Sequence, residues 1–347
     1  MFDILLTLCL AAQPDQCRTE RLEGGATRAE CHATADTARL TASARNDGRE
    51  VAVDWPCVVA GTTPAFTLTE IAPRVLVHKG AHAEATRENA GDIANLGVVI
   101  GERSVAVIDA GGSARVARAF LAAIRERTDL PISHLILTHM HPDHALGASV
   151  FEAEGARIIG HRRLGNALAR RAESYSEAAE RILGDASEGT EIAYPDEEVA
   201  GTAEIDLGNR TLRLTAHPTA HTDNDLTVFD EATRTLFAGD LLFLHHLPVI
   251  DGSILGWITL TPDLAEIRAA RAVPGHGPVS VLWPRAMSRQ TAYLEALTAA
   301  TREAVAKGVS IGDAGETLGR TGTDGWLLVS VFGTRNALAA FKELEWE

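Results

Sequence analysis

Four side chains that can bind a metal ion lie within one short segment, His139-Met140-His141-Pro142-Asp143-His144. Two residues apart in an extended chain, His139 and His141 project to the same side. Pro142 then turns the chain, so that Asp143 and His144 begin a helix that faces back. Four such groups crowded together would carry a large desolvation penalty unless a cation united them. The segment therefore predicts a loop that binds two adjacent metal ions.

Three later residues complete a predicted binuclear site, each at a strand end or in a turn: His221, Asp240 and His276. His276 is flanked by Gly275 and Gly277, which permit a tight loop. Imidazole and carboxylate ligands suit Zn²⁺ and also tolerate iron or manganese. The predicted cofactor is two Zn²⁺ ions per chain, with iron or manganese as alternatives.

These ligands predict a reaction class. A carboxylate that bridges two cations holds them roughly 3.5–4 Å apart, and a water shared between them loses a proton near neutral pH. The resulting hydroxide is a nucleophile, and the cations polarise the oxygen of the group that it attacks. Asp143 is the predicted catalytic residue, because its carboxylate can orient the hydroxide and pass a proton to the leaving group. The prediction is hydrolysis of a small molecule.

Four further side chains near these positions are candidates for the surroundings of the site. His217 either donates a hydrogen bond to a metal ligand or caps its own loop. His245 and His246 follow Asp240 by a few residues and are candidates for the substrate pocket. Trp257, in a glycine-rich loop, is either a wall of that pocket or part of the core.

The elements that must position these residues alternate between strands and helices from about residue 65 onward, which is typical of an α/β fold. The short apolar run Leu135–Thr138 predicts the buried strand that delivers the histidine cluster. Helices are predicted over Ala114–Arg127, over Leu164–Leu183, from Pro262, from Pro284 to about Lys307, and through Ala337 to Leu344.

Residues 13–62 have a different pattern and predict a small β-rich module that contains cysteines. Two alternating segments, Arg39–Ala44 and Val51–Trp55, flank Asn46-Asp47-Gly48, a strong hairpin signal. Gly61–Pro64 marks a predicted linker, and the main domain is predicted over 65–347.

Residues 1–12 allow two interpretations. Ile4–Ala12 is apolar and ends in small residues, as in a cleaved secretory signal peptide. Met1–Asp3 carries no Lys or Arg, however, and the alternative is a first β-strand. Export would place the protein in the periplasm or outside the cell, and without export it is cytoplasmic.

The four cysteines lie at positions 9, 17, 31 and 57. In an oxidising compartment two of Cys17, Cys31 and Cys57 could be bridged, and the pairing stays open. No Cys-x-x-Cys motif is present, which argues against a thiolate zinc site.

The charge balance excludes one class of partner. The formal net charge is −15, from 32 basic and 47 acidic residues, and such a field repels the phosphates of nucleic acids. No apolar run approaches the roughly 20 residues of a membrane-spanning helix. The predicted partner is a small-molecule substrate, and the oligomeric state stays open.

The order of the motifs resembles the signature of the metallo-β-lactamase superfamily: His-x-His-x-Asp-His at 139–144, His-Thr at 221, Gly-Asp at 239 and Gly-His-Gly at 275. The resemblance implies a four-layer αββα sandwich. It also implies two ligand sets that share Asp240 as a bridge: His139, His141 and His221 for the first metal, and Asp143, His144 and His276 for the second. Asp109 matches the first-motif aspartate of the family, which supports a ligand from behind.

Within the superfamily, the cysteine-bearing segment Cys17–Leu22 resembles the quinoprotein relay system zinc metallohydrolases. That resemblance implies an exported hydrolase of an ester, thioester or related bond that serves enzymes dependent on pyrroloquinoline quinone. The best-known lactam-hydrolysing members carry a cysteine where this sequence has Asp240, which disfavours lactamase activity of that kind.

Three alternatives remain. One is a thioesterase resembling hydroxyacylglutathione hydrolase, which needs a basic patch; Arg285, Arg289 and Arg302 are candidates but form no clear cluster. Another is a mono-iron protein resembling persulfide dioxygenases, which needs only two histidines and one carboxylate. The third is a non-catalytic, metal-binding accessory of a quinone or sulfur relay, although structural zinc sites are usually closed by four protein ligands.

Overall fold

The computed structural model describes residues 2–10, 13–25, 28–45, 50–54, 57–59 and 66–347. The chain divides into two compact units, Met1–Thr69 and Glu70–Glu347. The predicted hairpin at Asn46-Asp47-Gly48 and the predicted linker at Gly61–Pro64 lie outside the described residues.

The first unit combines a four-stranded antiparallel sheet with one helix. The strands are β1 Phe2–Leu10, β2 Gln13–Gly25, β3 Glu50–Asp54 and β4 Cys57–Val59, and the helix is α1 Arg28–Arg45. The strand β1 pairs with β2, β3 and β4. Residues 2–10 thus form a strand that is the shared partner of three others, and cleavage of a signal peptide stays a prediction. Export stays a prediction.

The predicted strand at Arg39–Ala44 is wrong, because these residues form the last turns of α1. Alanine, the strongest helix former, recurs along this segment, and Cys31, Ala35 and Ala38 recur at helical spacing. Cys31 and Ala35 are buried against Ile4, with Ala38 packed beside them. Cys31 is disulfide-bonded, and its partner stays a prediction.

The larger unit contains two sheets. The first has the strands β5 Leu68–Ala72, β6 Val75–His78, β7 Leu96–Ile100, β8 Val105–Ile108, β9 Ile132–Ile136, β10 Arg157–His161 and β11 Glu197–Val199. They lie in the order β11-β10-β9-β8-β7-β6-β5, with β8, β9, β10 and β11 parallel to one another.

The second sheet has the strands β12 Thr202–Asp206, β13 Thr211–Ala216, β14 Leu226–Asp230, β15 Thr235–Gly239, β16 Arg271–Pro274 and β17 Val281–Leu282, in chain order. Of these, β15 and β16 run parallel. Apolar side chains from both sheets, among them Val77, Ile108, Leu214 and Phe237, form one buried cluster. The two sheets therefore pack face to face.

Helices cover both outer faces, and the predicted four-layer αββα sandwich is confirmed. They are α2 Ala114–Arg125, α3 Pro142–Ala145, α4 Ala148–Ala153, α5 Leu164–Leu183, α6 Ile254–Ala265, α7 Ser288–Ala306, α8 Ile311–Leu318 and α9 Val329–Leu344. Phe120 of α2 packs edge-on against Phe151 of α4 beside the first sheet. Trp257, Leu294 and Phe341 of α6, α7 and α9 form the core over the second sheet. Among the described residues, no helix joins the length and apolar character that crossing a bilayer needs.

The helix predicted from Pro262 begins eight residues earlier, at Ile254. The Ser253 side chain accepts a hydrogen bond from Gly256 N at 2.8 Å, and the Glu343 carboxylate accepts one from Ile254 N at 2.8 Å. Both satisfy amides that a helix N-terminus leaves free. Because Glu343 lies in α9, far away in the sequence, the residues around Ile254 alone do not show that a helix begins there.

Candidate metal centre

The predicted metal ligands converge where four strands end. Asp109 directly follows β8, and His139 follows β9 after two residues. Asp240 directly follows β15, and His276 follows β16 after Gly275. The parallel pairs β8/β9 and β15/β16 bring their carboxyl ends to one edge each, which is where open α/β sheets hold ligands.

Seven side chains form two adjacent groups, namely His139, His141, His221 and Asp240, and Asp143, His144 and His276. His221 Nε2 lies 3.1 Å from His141 Nδ1 and 3.3 Å from Asp240 Oδ2. His276 Nε2 lies 3.3 Å from Asp143 Oδ2. Nitrogen and oxygen ligands about 2.0–2.1 Å from a tetrahedral zinc ion lie about 3.3 Å from each other. The spacing is that of ligands around a small divalent cation.

Asp240 contacts both groups. Its Oδ2 faces His221, and its Oδ1 lies 3.3 Å from His144 Nε2. Gly275 makes room for this carboxylate, since a Cβ atom on Gly275 would lie 1.8 Å from Asp240 Oδ1. The two oxygens thus have the placement of a bridging ligand.

The second ring nitrogen of each of the five histidines faces a protein acceptor. The pairs are His144 Nδ1 with Asp109 Oδ2 at 2.8 Å, His141 Nε2 with Asp251 Oδ2 at 2.9 Å, His221 Nδ1 with Val249 O at 2.7 Å, His276 Nδ1 with Ile93 O at 2.8 Å, and His139 Nδ1 with Thr138 Oγ1 at 3.0 Å. When neutral, a ring that donates outward carries its lone pair on the other nitrogen. Five ring nitrogens therefore point at the centre, and each offers a lone pair when its ring is neutral.

Asp109 organises one side of the site. Its carboxylate accepts hydrogen bonds from His144 Nδ1, from Thr138 N and from Thr138 Oγ1, each at 2.8 Å. Because the Thr138 hydroxyl donates to Asp109, its oxygen is left to accept from His139 Nδ1. Asp109 holds a left-handed φ of 60°, which is strained for most residues and tolerated best by Asn and Asp. Asp109 thus contacts His144 directly and reaches His139 through the Thr138 hydroxyl.

Three buried atoms at the centre make no hydrogen bond with any described residue: His139 Nε2, His144 Nε2 and Asp240 Oδ1. Buried polar atoms in proteins almost always have a partner, because an unsatisfied one carries the full desolvation penalty. These three converge on the same small volume, so one or two cations would satisfy all of them.

The ionisation of the two groups differs. Burial lowers the pKa of His221 to about 3 and holds that of His139 well below its ordinary value. Burial acts in the same direction on His276, but the Asp240 and Asp143 carboxylates outweigh it and raise that pKa to about 10. The same balance raises the pKa of His144. Without metal, the second group therefore holds protons where the first holds free lone pairs.

A cavity of about 460 Å³ opens onto the ligands His141, Asp143, Asp240 and His276. His246 lines this cavity as predicted and packs edge-on against the His276 ring, with centroids 4.8 Å apart. The other walls come from residues 83–85, from α5 and from the start of α9. Substrate can reach the predicted catalytic carboxylate of Asp143 from this side.

Three of the candidates for the surroundings of the site do not line the cavity. Trp257 does not line the cavity; it is fully buried in the core, where its ring packs 5.5 Å from that of His221. His245 is not among the lining residues and packs instead against His82. His217 Nε2 bonds Thr227 Oγ1 at 2.8 Å rather than a metal ligand, and burial lowers its pKa to about 4.

Other residues of the site have no signal in the sequence. Asp251 accepts a hydrogen bond from His141, although the two residues are 110 positions apart. The carbonyl groups of Val249 and Ile93 accept hydrogen bonds from His221 and His276 in the same way. Arg171 and Arg335 line the cavity, whereas the predicted basic candidates do not. Arg302, for example, pairs with Glu347 at 2.8 Å.

Comparison with known proteins places this architecture in one class. Residues 90–306 match the metallo-beta-lactamase superfamily, which is more than half of the chain, and the chain therefore belongs to that superfamily. The narrower resemblance to quinoprotein relay metallohydrolases stays a prediction.

Individual relatives are distant. A beta-lactamase-like protein 2 homolog of Caenorhabditis elegans is 25% identical over 160 residues, which cover 46% of this chain and 47% of that protein. The match thus spans about half the length of this curated relative.

Solved structures share the fold. A metallo-beta-lactamase from Pontibacter korlensis aligns with a TM-score of 0.54 at 18% identity, over 66% of this chain and 99% of that one. A double mutant of the sec-alkyl sulfatase PisA1 aligns with a TM-score of 0.63 at 15% identity, over 80% of this chain and 50% of that one.

Proposed function

We propose that this protein is a metal-dependent hydrolase with a binuclear zinc centre, which acts on an ester, thioester or related bond of a small molecule. The observation that carries the proposal is the convergence of five imidazole nitrogens and the Asp240 carboxylate, three of whose atoms make no hydrogen bond with any described residue. A donor set of neutral imidazoles and carboxylates suits zinc. Membership of a superfamily of metal-dependent hydrolases agrees with it.

When bound, two zinc ions would supply a hydroxide nucleophile near neutral pH and polarise the group under attack. The chain itself supplies the geometry. Asp240 would hold the two ions together, and Asp109 and Asp251 fix the rings of His144 and His141. Asp143 borders the cavity, and its pKa is held low by His144 and His276 against the effect of burial. A free carboxylate at this position can orient the nucleophile and carry a proton to the leaving group.

Metal analysis joined to activity profiling tests the proposal. We expect about two zinc ions per chain and chelator-sensitive turnover on a panel of ester, thioester and lactam substrates. Asp240→Ala should lose the second ion and most of the rate, whereas Asp129→Ala, on an exposed loop far from the ligands, should change neither.

Other outcomes would overturn it. One tightly bound iron with oxygen uptake on a persulfide would indicate the dioxygenase alternative. Two bound zinc ions without turnover of any class would indicate a metal-binding accessory protein. Retained activity in Asp240→Ala would disprove the bridging role of that carboxylate.

The finer proposal is that the protein works in an oxidising compartment such as the periplasm, near quinone-dependent enzymes. The disulfide at Cys31 supports it, because such bonds persist outside the reducing cytosol. Thiol labelling of the protein in its native host, with and without prior reduction, tests this: Cys31 labelled without reduction would contradict it.

A further inference from the structure

Two helices each direct one arginine into the cavity beside the metal ligands. On α5, Arg171 and Tyr175 both line it, and residues four apart share one helix face. On and before α9, Leu328, Phe332 and Arg335 line it with spacings of four and three. The two arginines are 164 positions apart in the chain, so their meeting at one cavity is a product of the fold.

Arg171 has no acidic partner in the described part of the chain. Its Nη1 donates only to Ala167 O, at 3.4 Å, and no carboxylate pairs with it. The Tyr175 hydroxyl likewise has no hydrogen-bond partner among the described residues. One of the five guanidinium donors is directed to Ala167 O, so four stay directed to solvent or to a ligand.

Arg335 is held near the site by a weak pair. Its Nη2 lies 3.5 Å from Asp251 Oδ1, and its side chain stays 52% exposed. The start of α9 is fastened to the loop beside the ligands, since Leu327 N donates to His245 O at 2.9 Å and Leu247 N donates to Leu327 O at 3.0 Å. The start of α9 is thus fixed beside the site, while the Arg335 guanidinium stays accessible to a ligand.

With two metal ions bound, the cavity would carry an excess of positive charge, which comes from the two arginines. Its acidic residues are Glu84, Asp143, Asp240 and Asp251. Two divalent cations at the centre match that negative charge, and the two guanidinium groups then make the cavity positive. Val249, Leu328 and Phe332 add an apolar wall. The arrangement suits a substrate with an anionic group and a short apolar part.

We propose, on the basis of the hydrolase function above, that Arg171 and Arg335 bind an oxyanion of the substrate and that the Tyr175 hydroxyl donates a third hydrogen bond to it. Arginine binds carboxylates, sulfonates and phosphates through paired donors. The anion held between α5 and α9 places the scissile bond over the metal ligands. Arg171 and Arg335 determine substrate specificity and take no part in the bond cleavage.

Matched substrates test this with the zinc-loaded protein. The probes are 4-nitrophenyl hemisuccinate, which is anionic, and 4-nitrophenyl butyrate, which is neutral and of similar length. Arg171→Gln and Arg335→Gln should each reduce kcat/KM for the anionic ester about ten- to hundredfold more than for the neutral one, mainly through KM. Arg171→Lys should restore part of the preference. Arg170→Gln and Lys342→Gln, exposed neighbours on α5 and α9, should leave it unchanged.

A binding measurement separates this proposal from the hydrolase proposal. Calorimetric titration of the zinc-loaded protein with succinate should show weaker binding in both glutamine variants at unchanged zinc content. Competition by propionate, methanesulfonate and methylphosphonate then identifies which oxyanion the arginines prefer. Equal losses on both esters, with unchanged succinate affinity, would overturn the proposal. If neither ester is hydrolysed, the succinate titration alone decides the anion site.

Discussion

Asp251 Oδ2 accepts a hydrogen bond from His141 Nε2 at 2.9 Å, and the two residues are 110 positions apart in the chain. The carboxylate fixes which nitrogen of His141 faces the centre and makes that ring a stronger donor to a cation. Asp251 also lies near Arg335, so one side chain connects a metal ligand with the proposed anion site.

Replacing this carboxylate should weaken metal binding. In Asp251→Asn the amide can still occupy the space, but the negative charge behind His141 is lost. We expect a ten- to hundredfold loss of zinc affinity, the usual size of such an effect, measured by competition with a chromophoric chelator. Asp263→Asn, which removes an exposed charge from α6, serves as the control. Equal zinc affinity in Asp251→Asn and the wild type would show that Asp251 does not support the ligand.

Gly275 should be essential to the position of Asp240. A methyl group at residue 275 would overlap Asp240 Oδ1, so Gly275→Ala should displace the carboxylate and lose at least one zinc ion per chain. Gly201→Ala, where a Cβ atom meets nothing within 4 Å, controls for the substitution itself. Metal content by mass spectrometry and circular dichroism distinguish loss of the ion from loss of the fold. A full complement of zinc in Gly275→Ala would contradict the bridging geometry.

The two metal positions should differ in their dependence on pH. Because the pKa of His276 is raised to about 10 in the metal-free protein, an ion at the second group must displace a proton at neutral pH. If binding of this ion releases one proton, the affinity of the second group for zinc should fall about tenfold for each unit by which the pH is lowered. His221, with a pKa lowered to about 3, is already neutral, so the first ion should respond less. Zinc titrations between about pH 6 and pH 8 measure both; equal slopes would contradict this order.

Removing the metals should destabilise the fold. The metal-free site leaves three buried atoms without a hydrogen-bond partner in the described structure, and an ion that binds only the folded state stabilises it by about 4 kcal/mol at a thousandfold excess over Kd. We expect a chelator to lower Tm by several degrees and added zinc to restore it. An unchanged Tm in a preparation shown to have lost its metal would contradict this expectation.

Much of the metal centre is predictable from the sequence because its ligands follow strands closely. The cluster at His139–His144, together with Asp240 and His276, comes just after buried strands, and strand ends in an α/β fold meet at one edge. The alternation of strands and helices predicted an α/β fold, and the resemblance to the metallo-β-lactamase superfamily implied the order of its layers. The strand predicted at Arg39–Ala44 was wrong because a short alternating pattern resembles a strand. It does not show that Cys31 and Ala35, earlier in the same helix, are buried along one of its faces.

The surroundings of the ligands depend on tertiary structure. Trp257 is an aromatic residue in a glycine-rich segment, which allows a position in a pocket wall or in the core. The packing of α6 over the second sheet places it in the core. Asp251 and Arg335 carry no distinguishing local pattern, because their roles come from contacts between segments remote in sequence. Residue types and spacing by themselves identified the side chains that form the two candidate metal-binding groups. Only the packing of α5 and α9 against the sheet edge decided which side chains surround them, because such long-range contacts leave no local trace.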